Sequence, residues 1–404
     1  MKKIIKAFKG IVALLGIILV IALFYYRQEA YKLYKVLTLF DKDDISWNFR
    51  NMKEIFPTTM VPKAKNPAVF PSMVQPIALP NEFNYEDEIV NTKDFLESTL
   101  TDALLIIRHD TIHYEYYGNG FKQNDLHISW SMAKSVLSAL FGIAVHEGDI
   151  KSIEQTVTEY LPELKGSGYD NVRLKDVLQM STGVGFNEDY GDFNSDINVM
   201  GRYFALGMPM ADFAKTLKRE REPGTYNHYV SVNTQVLGMV LTKATGQTVT
   251  DYMDEKLWSV IGAEDDAYWI IDNSGMEFVI GGLNATARDY AKVGQLFLDS
   301  GRWRGEQVVP EEWVIASITP DAPHLMPGKR ETALRAEGYG YQWWIPDGDE
   351  FDAQGIYGQF IYIDPDKEMV IVKLASNYQF KDDDSNFFLN REVALFREIA
   401  KSLD

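Results

Sequence analysis

Strand-like sequence lies at the two ends of this chain and helix-like sequence lies between them. Near the front, DALLIIRHD (Asp102–Asp110) and TIHYEYYG (Thr111–Gly118) read as two strands joined by a tight turn. Near the back, YGYQWWIP, GIYGQFIYIDP and EMVIVKLAS follow one another, with Asp364-Pro365-Asp366 as the turn of the last hairpin. The long section between them is dominated by helical periods. It includes Ser131–Glu147, closed by Gly148, and Thr234–Ala244, closed near Gly246. A last amphipathic helix runs from about Asn390 to the end. Strands at both ends imply one antiparallel sheet built from distant segments, flanked by helices and carrying an inserted helical region. The fold class is therefore α+β, because strand–helix alternation is missing.

The N-terminus adds a separate expectation. Lys2, Lys3, Lys6 and Lys9 precede the apolar run GIVALLGIILVIALFYY, from Gly10 to Tyr26. Counted from Ile4 onward, the apolar stretch comes close to the roughly 20 residues that span hydrocarbon. It ends in aromatic and basic residues with no small-residue cleavage site, which argues against a cleaved signal peptide. The sequence thus predicts a single-pass transmembrane anchor over residues 1–27. A stalk and proline-rich wrapping segment follows over 28–90, where Pro57, Pro62, Pro67, Pro71, Pro76 and Pro80 favour extended chain. The main domain occupies 91–404. The lysines ahead of the run place that domain outside the cytoplasm, in a periplasmic or similar compartment. The membrane would be one partner, held through the N-terminal helix.

Charge and composition exclude several classes. A net charge of -18 gives no basic stripe for nucleic acid. The absence of cysteine removes thiolate nucleophiles, zinc–cysteine sites and disulfides. The histidines show no paired metal-ligand spacing, and no glycine-rich phosphate loop or G-x-S-x-G elbow occurs. Nothing in the sequence calls for a cofactor, and the oligomeric state stays open.

One short stretch points to chemistry. In SWSMAKS (Ser129–Ser135), Ser131 stands three residues before Lys134 at the mouth of the first long helix. Residues three apart on a helix share a face, so the amine comes within reach of the hydroxyl. A serine hydroxyl is a weak nucleophile until a base takes its proton. Lysine can be that base only when it is neutral, which burial promotes. The apolar VLSALFGIAV that follows supplies the burial, and the free N–H groups of a helix start stabilise developing negative charge. The plainer alternative is an N-capping serine beside a lysine that reaches solvent. No other serine of the chain is followed by lysine at this spacing.

Further along, EPGTYNHYVSVNTQVLG (Glu222–Gly238) holds Tyr229 and, two residues on, Ser231. A phenol close to a serine–lysine pair can pass a proton to a leaving group. A hydroxyl at Ser231 can hydrogen-bond the lysine or the substrate.

Three segments in this order, HISWSMAKSVLSALFGIAVHEGDI, YLPELKGSGYDNVRLKDVLQMSTGVGFNEDY and PGTYNHYVSVNTQVLG, resemble the serine β-lactamase-related hydrolases. Within that group the chain is most similar to the 6-aminohexanoate-dimer hydrolase type, from about residue 90 to the C-terminus. The resemblance implies a β-lactamase/DD-peptidase-like fold with Ser131 as acylated nucleophile, Lys134 as general base and Tyr229 as the residue that protonates the leaving group. It puts Ser231 where class C enzymes usually carry asparagine. It also sets Ala353-Gln354-Gly355 at the third motif, where alanine replaces the basic residue. Gly355 suits a strand that substrate approaches closely, and the N–H of Ile356 would complete an oxyanion hole with that of Ser131. Tyr190, in GFNEDYGD, matches a tyrosine that the aminohexanoate hydrolases bring to the scissile amide. Glu188, Asp189 and Asp192 in the same loop would attract a cationic amine, or else form a solvated acidic loop. Trp130, Trp343 and Trp344 are candidates for an apolar pocket wall, with core packing the stronger expectation for at least two of them.

The resulting expectation is a serine hydrolase that cleaves a linear amide or small ester, a small-molecule substrate, through an acyl-enzyme. A D-alanyl-peptide- or β-lactam-directed enzyme and a catalytically degenerate penicillin-binding-like scaffold stay open as alternatives.

Overall fold

In the computed structural model, which describes residues 2–382 and 387–403, the end segments of the chain do meet in one sheet. Its strands are β1 (Thr101–Arg108), β2 (Thr111–Tyr117), β3 (Gly338–Tyr339), β4 (Trp344–Ile345), β5 (Phe351–Gly355), β6 (Gln359–Asp364) and β7 (Met369–Ala375). They lie in the order β3-β4-β5-β6-β7-β1-β2, and each neighbouring pair is antiparallel. The early and late segments join where Leu105 faces Val372 and Ile107 faces Val370.

Five helices frame the sheet and the site: α1 (Lys2–Leu37), α2 (Ala133–Glu147), α3 (Ser231–Thr245), α4 (Ala287–Leu298) and α5 (Phe387–Ser402). The central strands are covered on both faces. Leu104, Ile106, Met369 and Ile371 pack against Leu395, Phe396 and Ile399 of α5. Leu105, Ile107, Val370 and Val372 point the other way, into the main core that holds α2, α3 and α4. Burial on both faces explains why these strands read as continuous apolar runs instead of alternating ones. Each such side chain contributes roughly 1.5–3 kcal/mol. Helix α4 sits so close to the sheet that a Cβ on Gly294 would lie 2.5 Å from Val370 Cγ1.

The local signals mostly place the elements well. The β1–β2 turn is tight, with His109 and Asp110 both at positive φ (48° and 55°), as a two-residue hairpin requires. Helices α2 and α3 end at Gly148 (φ 84°) and Gly246 (φ 72°) in the left-handed conformation. The run GIYGQFIYIDP, expected as one strand, is divided. Gly355 closes β5, and Tyr357 (φ 65°) and Gly358 (φ 92°) turn the chain into β6.

A second sheet, of four short strands, was not expected from the sequence. Thr58–Val61, Ala267–Ile270, Leu283–Ala285 and His127–Ile128 pair in that order. Strands of two to four residues carry too little period to be seen. The proline-rich segment is extended and wraps the domain, through Ala68 N to Gly262 O (2.8 Å) and Ile112 N to Pro71 O (2.8 Å).

The N-terminal expectation is corrected. Among the described residues no helix is long and apolar enough to cross a membrane. The predicted transmembrane helix is therefore withdrawn, together with the membrane partner and the extracytoplasmic placement that rested on it. The expectation rested on the length of a linear apolar run. In the structure that run is the front part of α1, one 36-residue helix that continues unbroken through Arg27, Lys32 and Lys35. The side chains of residues 1–7, 18–19, 21–24 and 28–29, on which much of the expected anchor falls, lie outside the described residues. The last turn of α1 docks on the domain. Lys35 pairs with Asp44 at 2.9 Å and lies 4.3 Å over the Trp47 ring, while Val36 packs on the main core.

Candidate active site

The small sheet is what holds the serine. His127 and Ile128 pair with Ala285 and Asn284, and Ser129 N donates to Leu283 O at 2.8 Å. The chain then turns sharply through a 3-10 turn, Trp130–Met132, into α2. Trp130 adopts φ 43°, a region that costs a bulky residue about 1–3 kcal/mol. Packing offsets that strain: the Trp130 ring lies 5.4 Å from Phe49 and 5.8 Å from Phe40. Beneath it Gly281 passes so closely that a Cβ there would be 3.0 Å from Trp130 Cα. Ser131 is thereby set, half-buried, at the head of a helix buried almost all round.

Ser131 does not serve as a helix cap, since neither the turn nor α2 has a side-chain cap. Its Oγ lies 2.7 Å from Lys134 Nζ, which also donates to Ile280 O at 2.8 Å. Lys134 does not reach solvent; it is 1% exposed. Burial pulls its pKa down to about 7, with the Glu188 carboxylate pulling the other way.

Tyr229 comes from the loop before α3 and reaches the same spot. Its ring centroid is 5.3 Å from Lys134 Nζ, and it stacks on Trp344 at 5.2 Å. Burial, then the negative charge of Glu188, raise its pKa above the ordinary tyrosine range, against contacts with the Ser131 and Ser231 hydroxyls. Ser231, first residue of α3, donates its hydroxyl to Glu188 Oε1 at 2.5 Å. Tyr190 donates to the same oxygen at 3.2 Å. The loop's other two carboxylates do not join them. Asp189 and Asp192 are exposed and accept local N–H groups, from Gly191 (2.8 Å) and Asn194 (2.9 Å).

Strand β5 carries Ala353-Gln354-Gly355, the stretch expected as the third motif. It contacts β4 only where Trp344 faces Asp352, so its edge from Ala353 to Gly355 faces the site. A Cβ on Gly355 would lie 2.5 Å from Ser129 O, so only glycine lets the strand pass the serine turn this closely. Ile356 follows at the strand end. Ser131, Tyr229, Tyr190, Gly355 and Ile356 all line one cavity of about 460 Å³.

Sequence reasoning missed one cation here. Ala353 offers none, but Arg335 enters from a loop, 3.0 Å from Gln354 Oε1 and 3.7 Å over the Trp344 ring, with Glu337 as its ion-pair partner. No spacing to the other motifs marks it. Of the three tryptophans, Trp344 lines this cavity, Trp130 lines a smaller apolar one beside it, and Trp343 is core, packed on Phe297 at 4.4 Å. Among the described residues no group of three or more His, Cys, Asp or Glu side chains could hold a metal ion.

Known proteins resemble this chain. The Beta-lactamase family profile matches residues 91–395. A 6-aminohexanoate-dimer hydrolase from Paenarthrobacter ureafaciens is 32% identical over 368 residues, 89% of this chain and 91% of its own length. A solved Bacillus anthracis protein, bearing the provisional name of 6-aminohexanoate-dimer hydrolase, superposes with a TM-score of 0.80 at 27% identity. That match covers 90% of this chain and 96% of the other. A class C β-lactamase structure, 17% identical with a TM-score of 0.55, covers 77% of this chain and 97% of its own and shows likeness of fold alone.

Proposed function

This chain belongs to the Beta-lactamase family and is a serine hydrolase, and from that premise we propose that it cleaves a linear amide or small ester through an acyl-enzyme on Ser131. The observation that carries the proposal is the 2.7 Å approach of Lys134 Nζ to Ser131 Oγ, made by a lysine whose burial brings its pKa to about 7. A substantial fraction of that amine is neutral at neutral pH, as a general base must be.

The reaction runs in two halves. The Lys134 amine takes the Ser131 proton as Oγ attacks the carbonyl carbon, and the oxyanion forms against the N–H groups of Ser131 and Ile356. Tyr229 passes a proton to the departing nitrogen or oxygen and is reprotonated from Lys134. Water then attacks the ester on Ser131 by the same route in reverse, releasing the acid and restoring the hydroxyl.

An amide or ester fits better than a β-lactam. By the family resemblance, Ala353 falls where a basic residue would meet the β-lactam carboxylate and Ser231 falls in the place of asparagine; the cation the cavity does hold, Arg335, is already paired with Glu337. The Paenarthrobacter relative is named for the dimer of 6-aminohexanoate, which is a linear amide.

The test is hydrolysis of p-nitrophenyl acetate and butyrate by the full chain beside Ser131→Ala and Lys134→Ala. Both variants are expected to lose at least about a hundredfold in kcat/KM. Equal rates in all three proteins would mean that the serine and lysine are not the reacting pair.

A further inference from the structure

Ser131 lies where two cavities of different character meet. The larger holds Tyr229, Arg335, Glu188 and Gln354. The smaller, about 160 Å³, is apolar, and among the described residues no charged side chain lines it. Its walls include Val36, Leu39 and Phe40 where α1 ends, and Ile197, Met200 and Phe204 on the helix Asp196–Ala205. Ser131, Tyr190 and Ile356 line both cavities, so the reacting carbonyl sits at the junction.

The position of Tyr229 assigns the two halves. A group that protonates the leaving atom must face it, and Tyr229 lines only the larger cavity. The leaving group therefore occupies the polar side with Arg335. The acyl chain, attached to the opposite side of the same carbonyl, points the other way. We infer that the small apolar cavity is the acyl pocket and that it selects an uncharged aliphatic acyl group of about five or six carbons. The size follows from volume, since an apolar cavity of about 150 Å³ accommodates benzene. The charge follows from the lining: an ammonium carried into an apolar cavity loses its hydration with no carboxylate to replace it. Val36, Leu39 and Phe40 thereby form part of the specificity pocket. The inference rests on the acyl-enzyme proposed above.

Gly201 supplies a clean probe. It lines the pocket from mid-helix, and a Cβ added there meets nothing within 4 Å. The experiment measures kcat/KM of the full chain on p-nitrophenyl esters from acetate to decanoate, and on the p-nitroanilides of hexanoic and 6-aminohexanoic acids. The expected rise from acetate to hexanoate is about a hundredfold, at about three- to fourfold for each of the four added methylenes, with no further gain past about six carbons. Hexanoyl should exceed 6-aminohexanoyl by about tenfold or more. In Gly201→Phe the hexanoate-to-acetate ratio should fall at least about tenfold, and in Phe204→Ala the optimum should move to a longer chain. A flat chain-length series, a preference for the 6-aminohexanoyl anilide, a ratio unchanged in Gly201→Phe or an optimum unmoved in Phe204→Ala overturns the inference. Esters of every length inert, or cleaved equally by Ser131→Ala, would sink the acyl-enzyme itself and this pocket with it.

Discussion

The Ser231 hydroxyl donates to Glu188 Oε1 at 2.5 Å, and the Ser231 backbone N–H reaches Oε2 of the same carboxylate at 3.3 Å. A loop carboxylate is thus fastened to the first residue of α3, where helix N–H groups favour negative charge. From there it acts on two neighbours. It raises the pKa of Lys134 against burial and adds to the elevation of Tyr229. The balance between burial and this carboxylate sets where the lysine titrates, and two predictions follow from it.

Lys134 works as a base only after losing its proton. With its pKa near 7, kcat/KM for p-nitrophenyl butyrate should climb through a limb at about pH 7 and level off above it. Lys134→Arg should show no such limb and at least about a hundredfold less activity, because guanidinium stays protonated. A wild-type profile that is flat from acid to neutral pH would remove Lys134 from the role.

Glu188→Gln should shift that limb toward acid. The carboxylate favours the ammonium, so its loss lets the amine give up its proton at lower pH. The glutamine oxygen can still accept from Ser231, which keeps the loop in place. The readout is the midpoint of the limb, compared between the two proteins under identical salt. Movement toward alkali would contradict the electrostatic account.

The Ser131–Lys134 contact was legible because its geometry is local. Three residues on a helix start fix the Ser131–Lys134 distance whatever the rest of the chain does, and VLSALFGIAV advertised the burial that lowers the lysine pKa. The sheet was legible through β1 and β7, whose apolar runs reflect cover on both faces. What could not be read depended on contacts distant in sequence. Arg335 belongs to the site only because β4 sets Trp344 beneath it. Glu188 could not be told from Asp189 and Asp192 until Ser231 was seen to hold it. The small sheet that seats Ser131 is made of strands too short to carry a period. The apolar N-terminal run misled because counting residues says nothing of where its helix ends, and α1 ends on the domain.

Tyr229 should matter in proportion to how badly the leaving group needs a proton. An alkyl amine cannot depart as an anion, whereas p-nitrophenolate can. Tyr229→Phe should therefore lower kcat on a linear alkyl amide by about 10²–10⁴-fold and on p-nitrophenyl butyrate by much less. The phenylalanine ring keeps the stacking on Trp344, so packing is not the variable. Equal losses on both substrates would mean that the tyrosine positions the site and does not protonate the leaving group.

The last prediction concerns how α5 is fastened to the sheet. Lys373, in β7, pairs with Glu392 of α5 at 2.5 Å, and its Nζ also donates to Thr99 Oγ1 at 3.3 Å. Both charged side chains are almost fully buried, Lys373 at 0% and Glu392 at 1% exposure. Burial raises the Glu392 pKa, and Lys373 works against that rise. Such a pair offsets its own desolvation and adds little net stability, but either half alone is a buried, uncompensated charge. Lys373→Met should cost about 3–5 kcal/mol in urea unfolding, while Lys373→Met with Glu392→Leu should recover most of that loss. The double variant should also keep esterase activity, since neither residue lines the cavities at Ser131. A single variant that costs less than about 1 kcal/mol, or a double variant no more stable than the single, would show that the apolar contacts of Leu395, Phe396 and Ile399 alone secure the helix.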